Sequence, residues 1–377
     1  MIWLTWRLFR GPALAGTAAL AALAAYLVVL GLRLRDTHAE VVGCAGCTAD
    51  DARGAMENGY FVAVQLSGFA LVVVPALLGA FWGAPLVARE LEAGTHRLVW
   101  AQSVTRGRWL AVRLGVVVLA GVLATGLVGL LLGWAVAPYD EVMGGRFETV
   151  VFPSRGVVPL GYAAFAVALG ATLGLLARRT LPAMALTLAV FLGLQFLVPT
   201  LVRPHLRPPV TETFAFGAFS VGPGGGFSAG PRGARVEAVS LPGAWVLSDG
   251  AALHNAAGEP VTSSEVDVCM TGEFRRDMEC IGGLNLSYTV SYHPAARYWP
   301  FQWIEFGGYL LLAALLTALS FVRLRRVAWT TLLDAEPPGS STGDDPGGSR
   351  WLDQDQPMVL QFSWMLPRPQ PKPSTHR

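Results

Sequence analysis

The side chains that most often carry chemistry are scarce in this 377-residue chain: four cysteines, six histidines and one lysine. Cys44-Ala45-Gly46-Cys47 has the spacing of a redox or metal-binding pair. No βαβ pattern surrounds it, however, and the nearby His38 alone is a poor basis for a zinc site. Four cysteines allow three pairings. Cys269 and Cys280 are the best local pair, across an expected hairpin, and are expected to be bridged because disulfides are the ordinary state outside the cytosol. Lys372 is the sole lysine and lies near the end of the chain, so no Gly-x-x-x-x-Gly-Lys-Ser/Thr phosphate loop can be written. Gly222–Gly226 is glycine-rich without a following lysine. There is no Gly-x-Ser-x-Gly elbow and no His-Glu-x-x-His pair. His254 and His293 stand without an evident nucleophile or metal partner and read as surface residues. The expectation is a chain with no catalytic residue, no metal site and no cofactor bound by itself, hence not an enzyme.

The most informative polar stretch is Pro85–Trp109, PLVARELEAGTHRLVWAQSVTRGRW. As a helix it places Val87, Leu91 and Leu98 on one side and Arg89, Glu92 and His96 on the other. Gly94-Thr95 interrupts that pattern as a C′ glycine followed by an N-cap threonine, which predicts two short helices joined at a corner. Such a piece lies along a membrane surface with its charged side toward water or a partner. The plain alternative is an ordinary amphipathic loop between spans.

What must position this stretch is a set of membrane helices. Hydrophobic residues make up 53% of the chain and charged residues 14%, a composition of membrane proteins. The net charge of +2, with no basic cluster interleaved with aromatics, gives no footing for nucleic acid. After an interfacial start with Trp3, Trp6, Arg7 and Arg10, the apolar run Gly11–Leu32 is too long for a signal-peptide core and long enough to span a bilayer. Further spans are predicted at Phe61–Trp82, Trp109–Ala135, Gly156–Ala177, Leu181–Val202 and Phe301–Val322. None has an Asp, Glu, Lys or Arg near its middle, where a charge costs roughly 2.5–3.5 kcal/mol. Arg113 and Glu305 are placed near enough to ends to reach the headgroups, and Gln195 is read as a helix–helix hydrogen bond. Arginines concentrate beside the ends holding Arg7, Arg89, Arg106, Arg178 and Arg323, which predicts both termini in the cytoplasm, with Arg33 and Arg35 as exceptions.

The fold class expected is therefore an all-α polytopic membrane protein of six transmembrane helices, with a small β-containing extracytoplasmic domain between helices five and six. Residues 1–202 form the membrane domain with the loop 85–109, residues 203–299 the outer domain, residues 300–326 span six, and residues 327–377 a disordered cytoplasmic tail. In the outer domain Arg235–Val239 reads as a strand, and Leu284, Leu286, Tyr288, Val290 and Tyr292 alternate with smaller or polar residues.

Arg89-Glu90-x-Glu92-x-Gly94-Thr95, followed by Ser103-Val104-Thr105-Arg106, resembles the cytoplasmic loop of type 2 ATP-binding-cassette (ABC) permeases, with Ser103 and Thr105 where the family has Pro and Ser. Pro294-Ala295-Ala296-Arg297-Tyr298-Trp299-Pro300-Phe301-Gln302-Trp303-Ile304-Glu305, with Gly94–Trp100, is similar to an actinobacterial branch of that family. The resemblance covers residues 1–326. It implies a bacterial cytoplasmic-membrane permease that moves a substrate outward as a homodimer or with a related permease, powered by ATP bound to a separate ABC ATPase subunit. It also implies that Arg89, Glu90, Glu92, Gly94, Thr95, Arg97 and Arg106 face that ATPase. The alternative is a membrane-anchored extracytoplasmic binding or sensing protein without transport. Apolar spans suit peptides, lipids and hydrophobic drugs alike.

Overall fold

The computed structural model describes residues 2–93, 105–216, 226–230, 233–237, 239, 241–248 and 250–333. Among them, six helices are long and apolar enough to cross a membrane, and a small antiparallel sheet follows the fifth. Five of the predicted spans are the cores of longer helical segments, and the fourth, expected from Gly156, starts at Val158. α1 is Ile2–Gly43 and α2 is Ala49–Leu78. Thr48 starts α2 with a reciprocal cap, its hydroxyl accepting from Asp51 N while the Asp51 carboxylate accepts from Thr48 N.

A π-turn at Gly79–Gly83 carries α2 into α3, Pro85–Glu92. Pro85 has no N–H to give to the α-helical ladder. The wider turn absorbs that break, with Ala84 N donating to Gly79 O at 2.9 Å. The stretch expected to lie apart as a surface helix thus begins as the end of the second span, Ala49–Glu92. The predicted corner at Gly94-Thr95 and the helix beyond it lie outside the described residues.

α4 (Arg106–Met143), the short α5 (Val151–Ser154), α6 (Val158–Ala177) and α7 (Thr180–Leu197) follow. α6 is the hub of the bundle: its apolar window is 78% buried, against 39% or less for each of the other five spans. Glycine makes this possible. Gly79 and Gly83 press on Ala166 and Val167, while Gly170 and Gly174 face the Gly79 and Ala84 backbone. A methyl group at Gly83 would stand 2.7 Å from the Val167 carbonyl oxygen, so backbone approaches backbone only because side chains are missing. Gln195 does not make the predicted helix–helix hydrogen bond; its amide nitrogen has no partner among the described residues.

Past a turn at Arg203–His205 come β1 (Val210–Ala215), β2 (Gly226–Gly230), β3 (Gly233–Glu237), β4 (Trp245–Val246) and β5 (Gly250–His254). Two short helices, α8 (Ser263–Asp267) and α9 (Phe274–Gly282), separate β5 from β6 (Ser287–His293). The strand order is β1-β6-β5-β3-β2, with β4 also on β6, all antiparallel. The predicted alternation holds where the sheet has a core: Leu286, Tyr288 and Val290 are buried with Val236, Leu253 and Ile281, whereas Leu284 lies in the preceding turn and is exposed.

Cys269 and Cys280 are joined, but not across a hairpin. Thr262 and Glu265 form a capping box that starts α8, the Asp277 carboxylate gathers Thr271 N, Thr271 Oγ1 and Gly272 N, and the bridge ties the turn after α8 to α9. Cys44 and Cys47 are joined in the α1–α2 connection. α10, Tyr298–Leu333, completes the bundle and continues seven residues into the stretch expected as tail from 327. Residues 334–377 lie outside the described part.

Candidate functional site

The eight residues of α3 carry the first half of the predicted partner-facing set. Val87 and Ala88 are buried, and Leu86 and Leu91 are partly so. Val87 packs into a cluster with Trp109 and Leu110 of α4, Leu175 of α6 and Leu324 of α10. Ala88 lies against Gly174. The 3.6-residue periodicity then turns Arg89 and Glu92 outward. α3 is therefore seated on three other spans and cannot shift alone.

Its charges have different employments. Glu90 pairs with Arg113 of α4, whose guanidinium lies 4.7 Å from the centre of the Trp109 ring. Both side chains are at most 15% exposed, so Arg113 does not extend to the headgroups as expected but turns inward. Glu92 Oε2 accepts from Thr180 N at 3.0 Å and from Thr180 Oγ1 at 2.7 Å. It thereby supplies the cap that Arg179, the N-cap residue of α7, does not. Arg89 is exposed and has no acidic partner among the described residues. Gly94, Thr95 and Arg97 lie outside the described residues. Arg106 opens α4, with Thr105 as its extended N-cap residue; the Arg106 side chain is likewise outside them.

A second polar centre escaped the sequence reading. Glu305 of α10 was expected at the headgroups, yet its side chain is 2% exposed, as is that of Arg203 in the turn after α7. Arg203 Nε donates to Glu305 Oε2 at 2.9 Å and Nη2 to Oε1 at 3.2 Å, while Tyr162 of α6 donates to Oε1 at 2.6 Å. The guanidinium stacks 4.1 Å from the centre of the Phe152 ring. One turn earlier on α10, Gln302 caps α6: its Oε1 accepts from Val157 N and Val158 N, both at 3.2 Å, and its Nε2 donates to Phe152 O at 2.9 Å. The signal available in the sequence was a pair of opposite charges at the ends of otherwise uncharged spans.

His293 belongs to the same region and is not a surface residue, being fully buried. Arg297 Nη1 donates to its Nδ1 at 3.0 Å, which leaves the ring proton on Nε2 to reach Pro204 O at 3.2 Å. Arg297 Nη1 also donates to Pro208 O at 2.6 Å. His254, by contrast, sits at the end of β5 and is partly exposed. Trp245 of β4 stacks on Phe147 at 5.9 Å and meets Phe301 edge-on at 6.3 Å, so the sheet rests on the helices through aromatic contacts as well. Among the described residues there is no cluster of three or more His, Cys, Asp or Glu suited to a metal. Both centres tie helices together, α3 to α4 and α7 in the first and α10 to α6 and the turn after α7 in the second.

Residues 17–203 match the family described as ABC-2 membrane transporter related. That stretch holds α3, the Glu90–Arg113 pair and the Glu92 cap, and it ends at Arg203. No curated protein and no solved structure matches the chain. Together with the six helices long and apolar enough to cross a membrane, the match supports a multi-pass membrane protein.

Proposed function

We propose that this chain is the permease subunit of an ABC exporter, driven by a separate ATPase that docks on residues 85–109. The carrying observation is the family match over residues 17–203 together with an α3 that is continuous with the second span. A docked ATPase pushing on α3 would move α2 through the π-turn and α6 through the glycine contacts, because close-packed backbones transmit displacement. ATP would supply the energy, provided the ATPase makes different contacts with α3 in its two states.

In this reading the sheet faces outward, both termini are cytoplasmic, and the permease works as a homodimer or beside a related actinobacterial-type permease in the bacterial cytoplasmic membrane. The chain binds no ATP and catalyses nothing by itself. The Gly94–Arg106 segment presents the docking face, while Glu90 and Glu92 fix α3 through Arg113 of α4 and Thr180 of α7.

The test is affinity purification of the full chain co-expressed with an ABC ATPase encoded beside it. Wild type should retain the ATPase and support export. Arg97→Glu should weaken retention at least roughly tenfold, since reversing a charge at a partly desolvated contact costs about 2–5 kcal/mol. His254→Asn, in the sheet, should change neither. Failure of wild type to retain any ATPase would reject the permease reading in favour of an anchored binding protein.

A further inference from the structure

We infer that the groove between α1 and the α2–α3 helix is a binding site for an anionic phospholipid, with Arg89 receiving the phosphate. The groove has a volume of about 750 Å³ and is lined by α1 from Gly16 to Leu23, by α2–α3 from Val74 to Arg89, and by Thr180. Fifteen helical residues separate Val74 from Arg89, a length of roughly 22 Å, enough for an extended acyl chain to lie along it. Leu20, Leu23, Leu77 and Phe81 make its wall apolar, and its polar groups gather at the end formed by Arg89 and Thr180. An apolar slot with a cation at one end has the polarity of an acidic lipid and of little else that a bilayer supplies.

Charge at that end argues for an anion specifically. A second hollow adjoins it, lined by Leu91, Glu92, Arg178, Arg179, Leu181 and Pro182. Arg178 and Arg179 are exposed, as is Arg89. Glu92 is the one carboxylate in these two linings, and it is already bound to Thr180. The two linings together hold three guanidinium groups and one engaged carboxylate, a net positive end for the slot. Guanidinium suits phosphate because it offers two parallel donors to two oxygens. A neighbouring apolar helix would fill the slot equally well but would give the arginines no counter-charge.

The probe is phosphatidylglycerol or phosphatidylcholine with a brominated acyl chain, each reconstituted with the full chain alone. Bromine in the slot quenches Trp82, which lines it, and the Trp82→Phe variant supplies the background from the other tryptophans. Wild type should be quenched more strongly by phosphatidylglycerol. Arg89→Gln should lower that preference roughly fivefold, the effect of one interfacial arginine, whereas Arg89→Lys should keep most of it. Arg108→Gln, an exposed arginine on α4, should leave it unchanged. Ala19→Phe should obstruct the slot and reduce quenching by both lipids. Equal quenching of wild type by the two lipids, or an undiminished preference in Arg89→Gln, overturns the proposal. So does loss of preference in Arg89→Lys, which would make the change one of packing rather than charge. The assay contains no ATPase, so its outcome is separate from that of the co-purification experiment.

Discussion

Pro138 cannot donate a backbone hydrogen bond, so the carbonyl of Trp134 one turn earlier in α4 lacks its helical partner. Arg35 of α1 fills the vacancy, donating from Nη2 to Trp134 O at 2.6 Å while its guanidinium lies 4.0 Å from the centre of the indole ring. An arginine that looked like an exception to the orientation rule is thus a helix-to-helix bond. His293 shows the same dependence on distant partners. Burial holds its pKa below the ordinary value, the Pro204 carbonyl opposes that shift, and the Arg297 charge adds to it. The unfolded chain takes up this proton near pH 6.5, and the folded chain only at lower pH. Stability from this group is therefore present above about pH 6.5 and is lost as pH falls through the folded value. Thermal unfolding in detergent should show wild type losing more between pH 7 and pH 5.5 than His293→Gln, which stays neutral. Parallel pH slopes for the two proteins would remove His293 from the account.

At the scale of elements, the crossing of α2–α3 over α6 is the contact most sensitive to a single methyl group. A Cβ at Gly170 would run into the Gly79 carbonyl and stand 2.7 Å from Ala84 N, both backbone atoms that cannot rotate away. Gly170→Ala should therefore destabilise by about 1–3 kcal/mol through overpacking. At Gly193 in α7 an added methyl would meet nothing within 4 Å, so Gly193→Ala should stabilise by up to about 1 kcal/mol through helix propensity. Denaturant unfolding of the two variants checks both signs, and a loss at Gly193 as large as at Gly170 would defeat the packing argument. The spans were legible because charge-free runs of about 20 residues have few other uses. Their ends were not, since local pattern does not say that a π-turn will carry a helix through Pro85. The strand β6 was legible from alternation. The Thr262/Glu265 box was a readable helix start before Cys269, but the cysteine spacing suggested a hairpin instead. Arg89 and Glu92 were identifiable as one polar side, and Glu90 only through the resemblance. Their partners were not, because Arg113 is 23 residues from Glu90 and Thr180 is 88 residues from Glu92.

Across the whole molecule, the sheet leaves the bundle at Arg203 and returns at His293–Arg297, and the Arg203–Glu305 pair closes that excursion over 102 residues. Removing one partner should be costly because the other charge stays buried: Glu305→Leu is expected to destabilise by about 3–5 kcal/mol and to leave the Tyr162 hydroxyl without its acceptor. Replacing both charges by apolar residues of similar volume, Arg203→Met with Glu305→Leu, removes the desolvation penalty together with the attraction and should recover most of the loss. A double-mutant cycle measured by unfolding in detergent isolates the coupling between the two sites. Strong non-additivity, with the double variant more stable than Glu305→Leu alone, is the expected outcome. Additive losses would mean that Arg203 and Glu305 contribute separately and that the sheet is held by Trp245, Phe147 and Phe301 instead. Under the permease function proposed above, export by the stable double variant then separates anchoring from motion. A pair that only fixes the sheet to the bundle can be replaced by packing without loss of transport, whereas a pair that must open and close during each cycle cannot.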